Sequence, residues 1–390
     1  MAVNFLSHEV SDLCIGKPAL RALPISATVG ESLLALRQCG ETYVSLWITD
    51  RSTPEKKACA GKLCMVDILC YLCSEENISA PAAALKNPVS ALLAKEAATQ
   101  LRRIEPQSRV VDALDAILEG ARILLVPIRP AAGSRKKLLK GTGEFCWLTQ
   151  EDFARFFFNS IAVFSPILAL SVTQLGLVRS DVLSVRYHDP ALCALPLIRR
   201  ALMDQSSVAV LTDDRKLIGE ISPSTLAGCD ESVAAALAAL SAGDFIAYMD
   251  WCASPPDAIV RAVKYLLKEK RMQGMLELME ADDFPPFFSS SSSNSSSSSS
   301  DDEEGERLRG AKSSRPLGRS GSYSARMGRR SEEAIVCHPE SSLAAVMVQT
   351  LAHRVGYVWV VEEDYSLVGI VVIRDILKIF RDEIDQLELL

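Results

Sequence analysis

The chain has 390 residues with a formal net charge of −7, and 48% of its residues are hydrophobic. A chain of this length and composition can form two or three globular domains with ordinary hydrophobic cores. The acidic balance does not favour a nucleic-acid-binding protein, so we expect no nucleic-acid partner. Because eleven cysteines accompany an N-terminus without the basic and apolar pattern of an export signal, we expect reduced thiols and a cytoplasmic or nuclear location.

The first unit, residues 10–88, has the order strand, helix, strand, strand, helix. A short extended piece comes first, and a helical period follows over Val29–Gln38. Two apolar, β-prone runs, Tyr43–Thr49 and Cys59–Val66, then lead to a helix that begins near Asp67. This pattern predicts a small β-α-β-β-α fold.

Four cysteines of this unit have spacings that zinc sites also show, namely Cys59, Cys64, Cys70 and Cys73. Cys64 falls in a predicted strand, whereas Cys70 and Cys73 fall on the helix after Asp67. In such elements cysteine packs as a small hydrophobic side chain. We therefore favour a packing role over zinc binding and predict no metal site.

Three later units repeat this order. They are residues 89–178, 179–230 and 332–390, with helical periods over Arg109–Glu119, Pro190–Met203 and Ser341–His353. Aligned at the last strand of each unit, the four segments read GKLCMVDIL, CWLTQEDFA, GEISPSTLA and GIVVIRDIL. Their seventh residues are Asp67, Asp152, Thr225 and Asp375. The four aligned copies predict one building block used four times.

Two segments in or next to the second unit have compositions that the repeat pattern does not explain. The alanine-rich segment Pro81–Arg103 predicts a helical linker into the unit. The apolar run Phe156–Val178 is long enough for a membrane helix. Because Asn159 and Pro166 interrupt it, we do not expect it to span a membrane, and a membrane-anchored regulator is kept as a further alternative.

The repeat pattern breaks between the third and fourth units. Residues 231–284 contain two amphipathic stretches on either side of a Pro-Pro pair, which predict a helical insertion. Residues 285–331 contain a serine run, then acidic and then basic residues, and cannot bury enough apolar surface to become ordered. We predict a disordered linker here. Ser300 precedes acidic residues and Ser331 follows two arginines, so both are candidate phosphorylation sites, with an unregulated spacer as the alternative.

The four aligned copies resemble the cystathionine-β-synthase (CBS) domain, whose repeats pair into Bateman modules. The whole chain resembles plant CBS domain-containing proteins of the CBSX type with four motifs, which are related to the γ subunits of SNF1 and AMP-activated kinases. The resemblance implies an α/β (α+β) fold of four β-α-β-β-α repeats in two Bateman modules, with the insertion and the linker inside the second module.

The resemblance also implies a ligand and partners. The ligand is an adenosine-type nucleotide such as AMP, ADP or ATP, and no other cofactor is implied. The partner is a protein kinase or another regulated protein. A homodimer is an open alternative, since the sequence does not determine the oligomeric state.

The resemblance further implies a site at the aligned motif. In nucleotide-binding CBS modules, a Gly-x-x-Thr/Ser-x-x-Asp motif places a hydroxyl near phosphate and a carboxylate against both ribose hydroxyls. A carboxylate has two acceptor oxygens for a cis-diol, and the helix start beside it offers N–H groups to phosphate. The candidate ligand-binding residues carried over in this way are Thr149, Asp152, Asp67, Ser222 and Asp375, with His353 and Arg354 as phosphate contacts.

These residues also have a structural interpretation. An aspartate in the first turn of a helix can cap unpaired N–H groups without any ligand. Asp67 and Asp375 lack the accompanying hydroxyl, and Thr225 replaces the carboxylate in the third unit. A His-Arg pair at the C-terminal end of a helix complements the helix dipole. Both interpretations stay open at this point.

No catalytic motif accompanies the candidate site. The sequence has no Walker-type phosphate loop, no nucleophile elbow and no histidine pair at metal-ligand spacing. We therefore predict a non-enzymatic regulatory protein that senses a nucleotide in the clefts between repeats and modulates a partner. A ligand-independent interaction scaffold with degenerate clefts is the alternative.

Overall fold

The computed structural model describes residues 7–39, 42–49, 57–93, 101–128, 144–251, 255–281 and 334–388. Within these residues there are four three-stranded sheets of identical topology. In each sheet the first strand pairs in parallel with the second, and the second pairs in antiparallel fashion with the third. The prediction of four β-α-β-β-α repeats is confirmed. The predicted linker and its phosphorylation candidates, Ser300 and Ser331, lie outside the described residues.

The first two repeats form in the order that their apolar patterns predict. The elements of repeat 1 are α1 (Val10–Leu13), β1 (Ala22–Pro24), α2 (Val29–Cys39), β2 (Tyr43–Thr49), β3 (Lys57–Cys64), α3 (Met65–Leu72) and α4 (Pro81–Ala84). The elements of repeat 2 are β4 (Leu101–Arg103), α5 (Val110–Leu118), β5 (Ile123–Ile128), β6 (Glu144–Leu148), α6 (Gln150–Asn159) and α7 (Ile161–Leu168).

The last two repeats flank the helical insertion. The elements of repeat 3 are β7 (Ser184–Arg186), α8 (Leu195–Asp204), β8 (Val208–Leu211), β9 (Leu217–Ile221) and α9 (Pro223–Leu226). The insertion contains α10 (Ser232–Ala239), α11 (Ala242–Met249), α12 (Asp257–Glu269) and α13 (Gln273–Ala281). The elements of repeat 4 are β10 (Val336–Cys337), α14 (Leu343–His353), β11 (Tyr357–Val361), β12 (Leu367–Val372) and α15 (Ile373–Glu388).

In its described residues, 81–93 and 101–103, the alanine-rich segment is not the continuous helix that its composition predicts. The helix α4 is four residues long, a 3₁₀ turn follows at Val89–Leu92, and Leu101 already belongs to β4. Pro88 disfavours helix both at itself and at the residue before it. Tertiary pairing also competes, because the Val89 N–H donates to the Ala27 carbonyl at 2.7 Å.

The apolar run of repeat 2 is divided into two short helices. The helix α6 ends at Asn159, and α7 contains Pro166. No helix in the described part of the chain is long and apolar enough to cross a membrane. Instead the run packs between repeats, since the Phe157 ring stacks on Phe380 of α15 with 4.8 Å between centroids.

Each repeat is completed by a companion segment that pairs at the start of its first long helix. The isolated β-bridges at these places join Thr28 to Pro88, Glu9 to Arg109, Pro190 to Ser241 and Ser171 to Ser342. In repeats 1 and 3 the companion follows in the chain. In repeats 2 and 4 it precedes the whole module, as residues 7–20 and 169–179, which we call the inlet segments.

The inlet segments precede the first repeat of their module in the chain, but they form hydrogen bonds with the second repeat. The Val10 N–H donates to the Ser108 carbonyl at 2.9 Å, and the Leu20 N–H donates to the Phe145 carbonyl at 2.8 Å. In the second module, the Val172 N–H donates to the Ser341 carbonyl at 3.0 Å. Residues 10–20, although they precede β1, thus pack on repeat 2.

The repeats pair through their sheets and the modules pair through their helices. Trp47, Ile123, Leu125 and Trp147 are buried between the sheets of repeats 1 and 2. Tyr357, Trp359 and Ile370 of repeat 4 are buried against Ala209 and Leu211 of repeat 3. The helices of repeats 1 and 3 share one core with the insertion, and those of repeats 2 and 4 share a second core.

Phe380 tests the helix-side contact between repeats 2 and 4. Its fully buried ring stacks on Phe157 and meets Phe164 edge-on, each at 4.8 Å between centroids. We expect Phe380→Ala to lower the free energy of unfolding by about 3–5 kcal/mol, because the cavity cannot fully collapse. Urea unfolding measures the change, with the half-exposed Val348→Ala as a control that shifts it by less than about 0.5 kcal/mol. A loss below about 1 kcal/mol for Phe380→Ala would contradict this packing.

Candidate functional site

The aligned motif residues lie where the last strand of each sheet meets the next helix. In repeats 1, 2 and 3 the helix N-caps are Cys64, Thr149 and Ser222. In each, the side chain three residues later bonds back to the N-cap N–H group, which forms a reciprocal capping box. Asp67 and Asp152 therefore cap helices, as the structural interpretation of the sequence expects.

In repeat 2 the motif carboxylate is buried and paired. Asp152 is 9% exposed, and its Oδ2 atom accepts hydrogen bonds from the Thr149 N–H group at 2.7 Å and the Thr149 hydroxyl at 2.9 Å. The Lys17 ammonium donates to the same oxygen at 2.6 Å and to the Trp147 carbonyl at 2.8 Å. A cation of the first inlet segment thus pairs with this carboxylate.

In repeat 4 an arginine holds the motif carboxylate. The Arg179 guanidinium donates from Nε to Asp375 Oδ2, and from Nη2 to Asp375 Oδ1 at 2.5 Å. This hydrogen-bonded carboxylate raises the pKa of Arg179. The Arg179 backbone also pairs with Ile370 through two hydrogen bonds of 2.9 Å. A second inlet cation therefore occupies the same kind of position as Lys17.

In repeat 1 the motif carboxylate lies in a charged cluster near an aromatic ring. The Lys62 ammonium is 4.0 Å from the centroid of the Tyr43 ring. Burial lowers the pKa of Lys62 to about 8, and the charges of Asp67 and Arg122 act on it in opposite directions. Burial raises the pKa of Tyr43 beside the same two charges. Among the described residues, Asp67 has no ion pair with an inlet segment.

In repeat 3 hydroxyls replace the carboxylate. Ser222 is fully buried, its N–H group donates to Thr225 Oγ1 at 3.1 Å, and its own Oγ accepts from the Thr225 N–H group at 3.0 Å. A different carboxylate, Glu220, accepts from the Tyr357 hydroxyl and the Trp359 indole N–H, each at 2.5 Å. Burial, followed by Glu220, raises the pKa of Tyr357. Glu220 thus joins the two sheets of the second module.

A cavity of about 210 Å³ lies where repeats 2, 3 and 4 meet. Its charged lining residues are Arg122, Arg374 and Asp204. Gln150, the first residue of α6, also lines it and is 6% exposed, and its Oε1 atom is buried without a hydrogen-bond partner. A buried acceptor in this state costs free energy unless a donor reaches it. Gln150 therefore adds a polar side chain to the cavity wall, although its Oε1 atom is itself buried.

Two further contacts fix the walls of this cavity. The Arg374 guanidinium donates to the Leu118 carbonyl at 2.6 Å, which uses one of its five N–H donors. Gln205 has a left-handed backbone with φ of 53°, and its side-chain amide donates to the Arg122 carbonyl at 3.3 Å. Residues of three repeats are thereby held around one space.

The His-Arg pair lies at the seam between repeats 3 and 4. His353 ends α14, and Arg354 follows in the left-handed region with φ of 55°. Both are exposed, and neither side chain makes a hydrogen bond or ion pair with another described residue. A Cβ atom on Gly356 would lie 2.7 Å from the Gln205 carbonyl oxygen, so the ends of α14 and α8 are in close contact. The structure does not bring this pair to Asp375.

Comparisons with known proteins agree with the fold. The CBS domain family model matches residues 330–382. The CBS domain-containing protein CBSX5 of Arabidopsis thaliana is 42% identical over 402 residues, covering 98% of this chain and 98% of that protein. The chain belongs to the CBS domain-containing proteins of the CBSX type. The predicted resemblance to this family is confirmed.

More distant similarities extend over the whole chain. The SNF1-related protein kinase regulatory subunit gamma-like PV42b of Arabidopsis thaliana is 21% identical, covering 97% of this chain and 96% of that protein. The crystal structure of MJ1225 from Methanocaldococcus jannaschii, a candidate archaeal homologue of γ-AMPK, superposes with a TM-score of 0.55 at 12% identity. It covers 96% of this chain and 100% of that one, which shows a shared fold.

Sequence reasoning on the CBS motif found the carboxylates but not their partners. Lys17 is 135 residues from Asp152, and Arg179 is 196 residues from Asp375. Neither cation belongs to a repeat motif. The sequence nevertheless contains a feature that could have identified these two cations. Each cation lies in the short segment that precedes the first strand of a module. The sequence did not single out Gln150 as a cavity residue, because a polar residue is common in the first turn of a helix.

Lys62 provides a test of the charged cluster in repeat 1. Its pKa is about 8 in the folded chain, below its usual value of 10.5, because burial disfavours the ammonium. Between these pH values the unfolded state holds up to one more proton on this side chain, so the contribution of Lys62 to the free energy of unfolding rises with pH in this window. We expect Lys62→Met to remove that rise and to stabilise the chain at pH 7 by about 1–2 kcal/mol.

Urea unfolding at pH values from 7 to 10 would measure this difference. The exposed Lys86→Met is the matched control and should parallel the unsubstituted chain across the whole range. An equal pH dependence for Lys62→Met and the unsubstituted chain would show that the Lys62 ammonium is not desolvated.

Proposed function

We propose that the chain is a non-enzymatic regulatory protein that binds one adenosine-type nucleotide at the seam of its repeats and thereby modulates a partner such as a protein kinase. The cavity between repeats 2, 3 and 4 carries the proposal, because Arg122, Arg374 and Gln150 converge there. Ligand sites of this kind combine an enclosed space with a few convergent polar groups.

The residues that line the cavity favour an anionic ligand that also carries hydrogen-bonding groups. Two arginines and one aspartate are the charged lining residues, so positive charge predominates. Guanidinium groups bind phosphate through paired N–H donors. The Gln150 amide in the cavity wall favours a ligand that also carries its own hydrogen-bonding groups. A phosphate ester that also carries hydroxyl groups provides both.

The size of the cavity favours the phosphate end of the ligand. About 210 Å³ is smaller than the roughly 300–1,000 Å³ of a site for a complete small molecule. The sugar and base would then lie toward repeat 1. Arg122 connects the two places, because it lines the cavity and its charge also acts on Lys62 and Tyr43 beside Asp67. We assign Asp67 to the ribose hydroxyls and Arg122 to phosphate.

A kinase as partner is supported by a relative's name. PV42b, which aligns with almost the whole chain, is named a gamma-like regulatory subunit of an SNF1-related protein kinase. We therefore propose that the ligand changes the affinity of the chain for such a kinase. Coupling of this kind requires that the ligand bind the two partner-binding states with different affinities.

A ligand-independent scaffold remains the second candidate, and the ion pairs of the inlet segments favour it. Lys17 and Arg179 neutralise two of the three motif carboxylates. If Asp67 also bound no ligand, the four repeats would act only as a rigid frame for protein partners. Purified chain and kinase would then associate equally well with and without nucleotide.

Isothermal titration with AMP, ADP and ATP tests the proposed site. Asp67→Asn keeps a side chain that can cap α3 but removes the charge, and Arg122→Gln removes the guanidinium. We expect each substitution to weaken binding by about 1.5–3 kcal/mol, the contribution of a hydrogen bond to a charged group. The exposed Glu119→Gln serves as the control and should leave the affinity unchanged. Absence of binding by the unsubstituted chain, or equal binding by Asp67→Asn, would reject the nucleotide site.

A further inference from the structure

Two cations from the inlet segments, Lys17 and Arg179, hold the motif carboxylates of repeats 2 and 4. We infer that they are built-in occupants of these clefts, and that each module keeps its second cleft closed to a ribose while its inlet segment is in place. The inference rests on the proposed function in one respect. It assumes that a motif carboxylate without an ion-pair partner can bind a nucleotide.

The two contacts are equivalent in the fold. Both cations lie in a segment that precedes the first strand of a module and packs on its second repeat. Both donate to the motif carboxylate of that second repeat. Two unrelated surface ion pairs would not be expected at matching positions of two modules. The pairing therefore follows from the architecture of a module.

Backbone pairing holds each cation in place. Arg179 exchanges two 2.9 Å hydrogen bonds with Ile370, next to the motif glycine Gly369. A Cβ atom on Gly369 would lie 2.4 Å from the Arg179 carbonyl oxygen, so the close approach requires glycine here. In the first module, the Leu20 N–H donates to the Phe145 carbonyl, directly before Cys146 of the aligned motif. Arg179 is thus carried by strand-like pairing, whereas Lys17 lies three residues before a backbone hydrogen bond to repeat 2.

The two ion pairs, Lys17 with Asp152 and Arg179 with Asp375, differ in how far their side chains are exposed to solvent. The side chains of Lys17 and Asp152 are 23% and 9% exposed, whereas those of Arg179 and Asp375 are 44% and 26% exposed. Solvent and salt weaken an exposed ion pair more than a buried one. The closure of repeat 4 is therefore the one that opens more readily, and Arg179 is the better residue to substitute.

Two substitutions in the full chain separate the closure from the carboxylate. Arg179→Ala removes the occupant and leaves Asp375 free, whereas Asp375→Ala breaks the same ion pair and removes the proposed ribose ligand. We expect hydrogen exchange of residues 169–179 to become faster in both variants, by roughly tenfold or more. Equilibrium dialysis with AMP should then show one additional bound nucleotide per chain for Arg179→Ala and none for Asp375→Ala.

The conservative Arg179→Lys keeps a cation at the carboxylate and should retain the AMP count of the unsubstituted chain. A folded Arg179→Ala chain with an unchanged AMP count would overturn the inference, and so would a gain in Asp375→Ala. If Arg179→Ala does not fold, Lys17→Ala decides the question in the first module, where one additional bound AMP supports the inference and an unchanged count rejects it.

The count is taken relative to the unsubstituted chain. An unsubstituted chain that binds no AMP would therefore remove the proposed site at Asp67. The additional nucleotide in Arg179→Ala would still be detected in that case, so the two ideas can fail separately.

Discussion

The fold depends on one contact that every repeat makes. A companion segment from elsewhere in the chain pairs with each repeat near the start of the first long helix of that repeat. Backbone N–H and C=O groups that become buried need partners, so no repeat is complete by itself. Repeats 1 and 3 take the companion from the chain that follows them, through Pro88 and Ser241. Repeats 2 and 4 take it from before the module, through Glu9 and Ser171. The second repeat of each module is thus complete only when the segment before the first repeat is in place, which interlocks the pair.

This crossing also determines the electrostatics of the clefts. A buried carboxylate without a partner is costly, and removing one member of a buried pair leaves the other uncompensated. Asp152 avoids that cost through Thr149 and Lys17, so it is stable without any ligand. Asp375 has the same relation to Arg179 in a more exposed setting. The aligned residue therefore caps a helix in repeats 1, 2 and 3, belongs to an internal ion pair in repeats 2 and 4, and carries a hydroxyl in place of a carboxylate in repeat 3.

Local features of the fold could be predicted from the sequence, because strand order, helix period and capping depend on residues a few positions apart. The capping pairs Cys64 with Asp67 and Thr149 with Asp152 are of this kind. Lys17 could not be found in this way, since its partner is 135 residues distant and only tertiary packing joins them. The alanine-rich segment before repeat 2 failed for a related reason, because pairing with repeat 1 overrides helix propensity there.

The order of the chain makes the four clefts unequal. Repeats 2 and 4 receive an inlet cation, and repeat 3 has Thr225 in place of a carboxylate while its Glu220 is engaged by Tyr357 and Trp359. Repeat 1 differs from all three, because Asp67 has no inlet cation within the described residues and lies near Arg122, which also lines the central cavity. A ligand at that seam would contact the walls supplied by repeats 2, 3 and 4. Because repeat 2 belongs to one module and repeats 3 and 4 belong to the other, such a molecule would contact both modules.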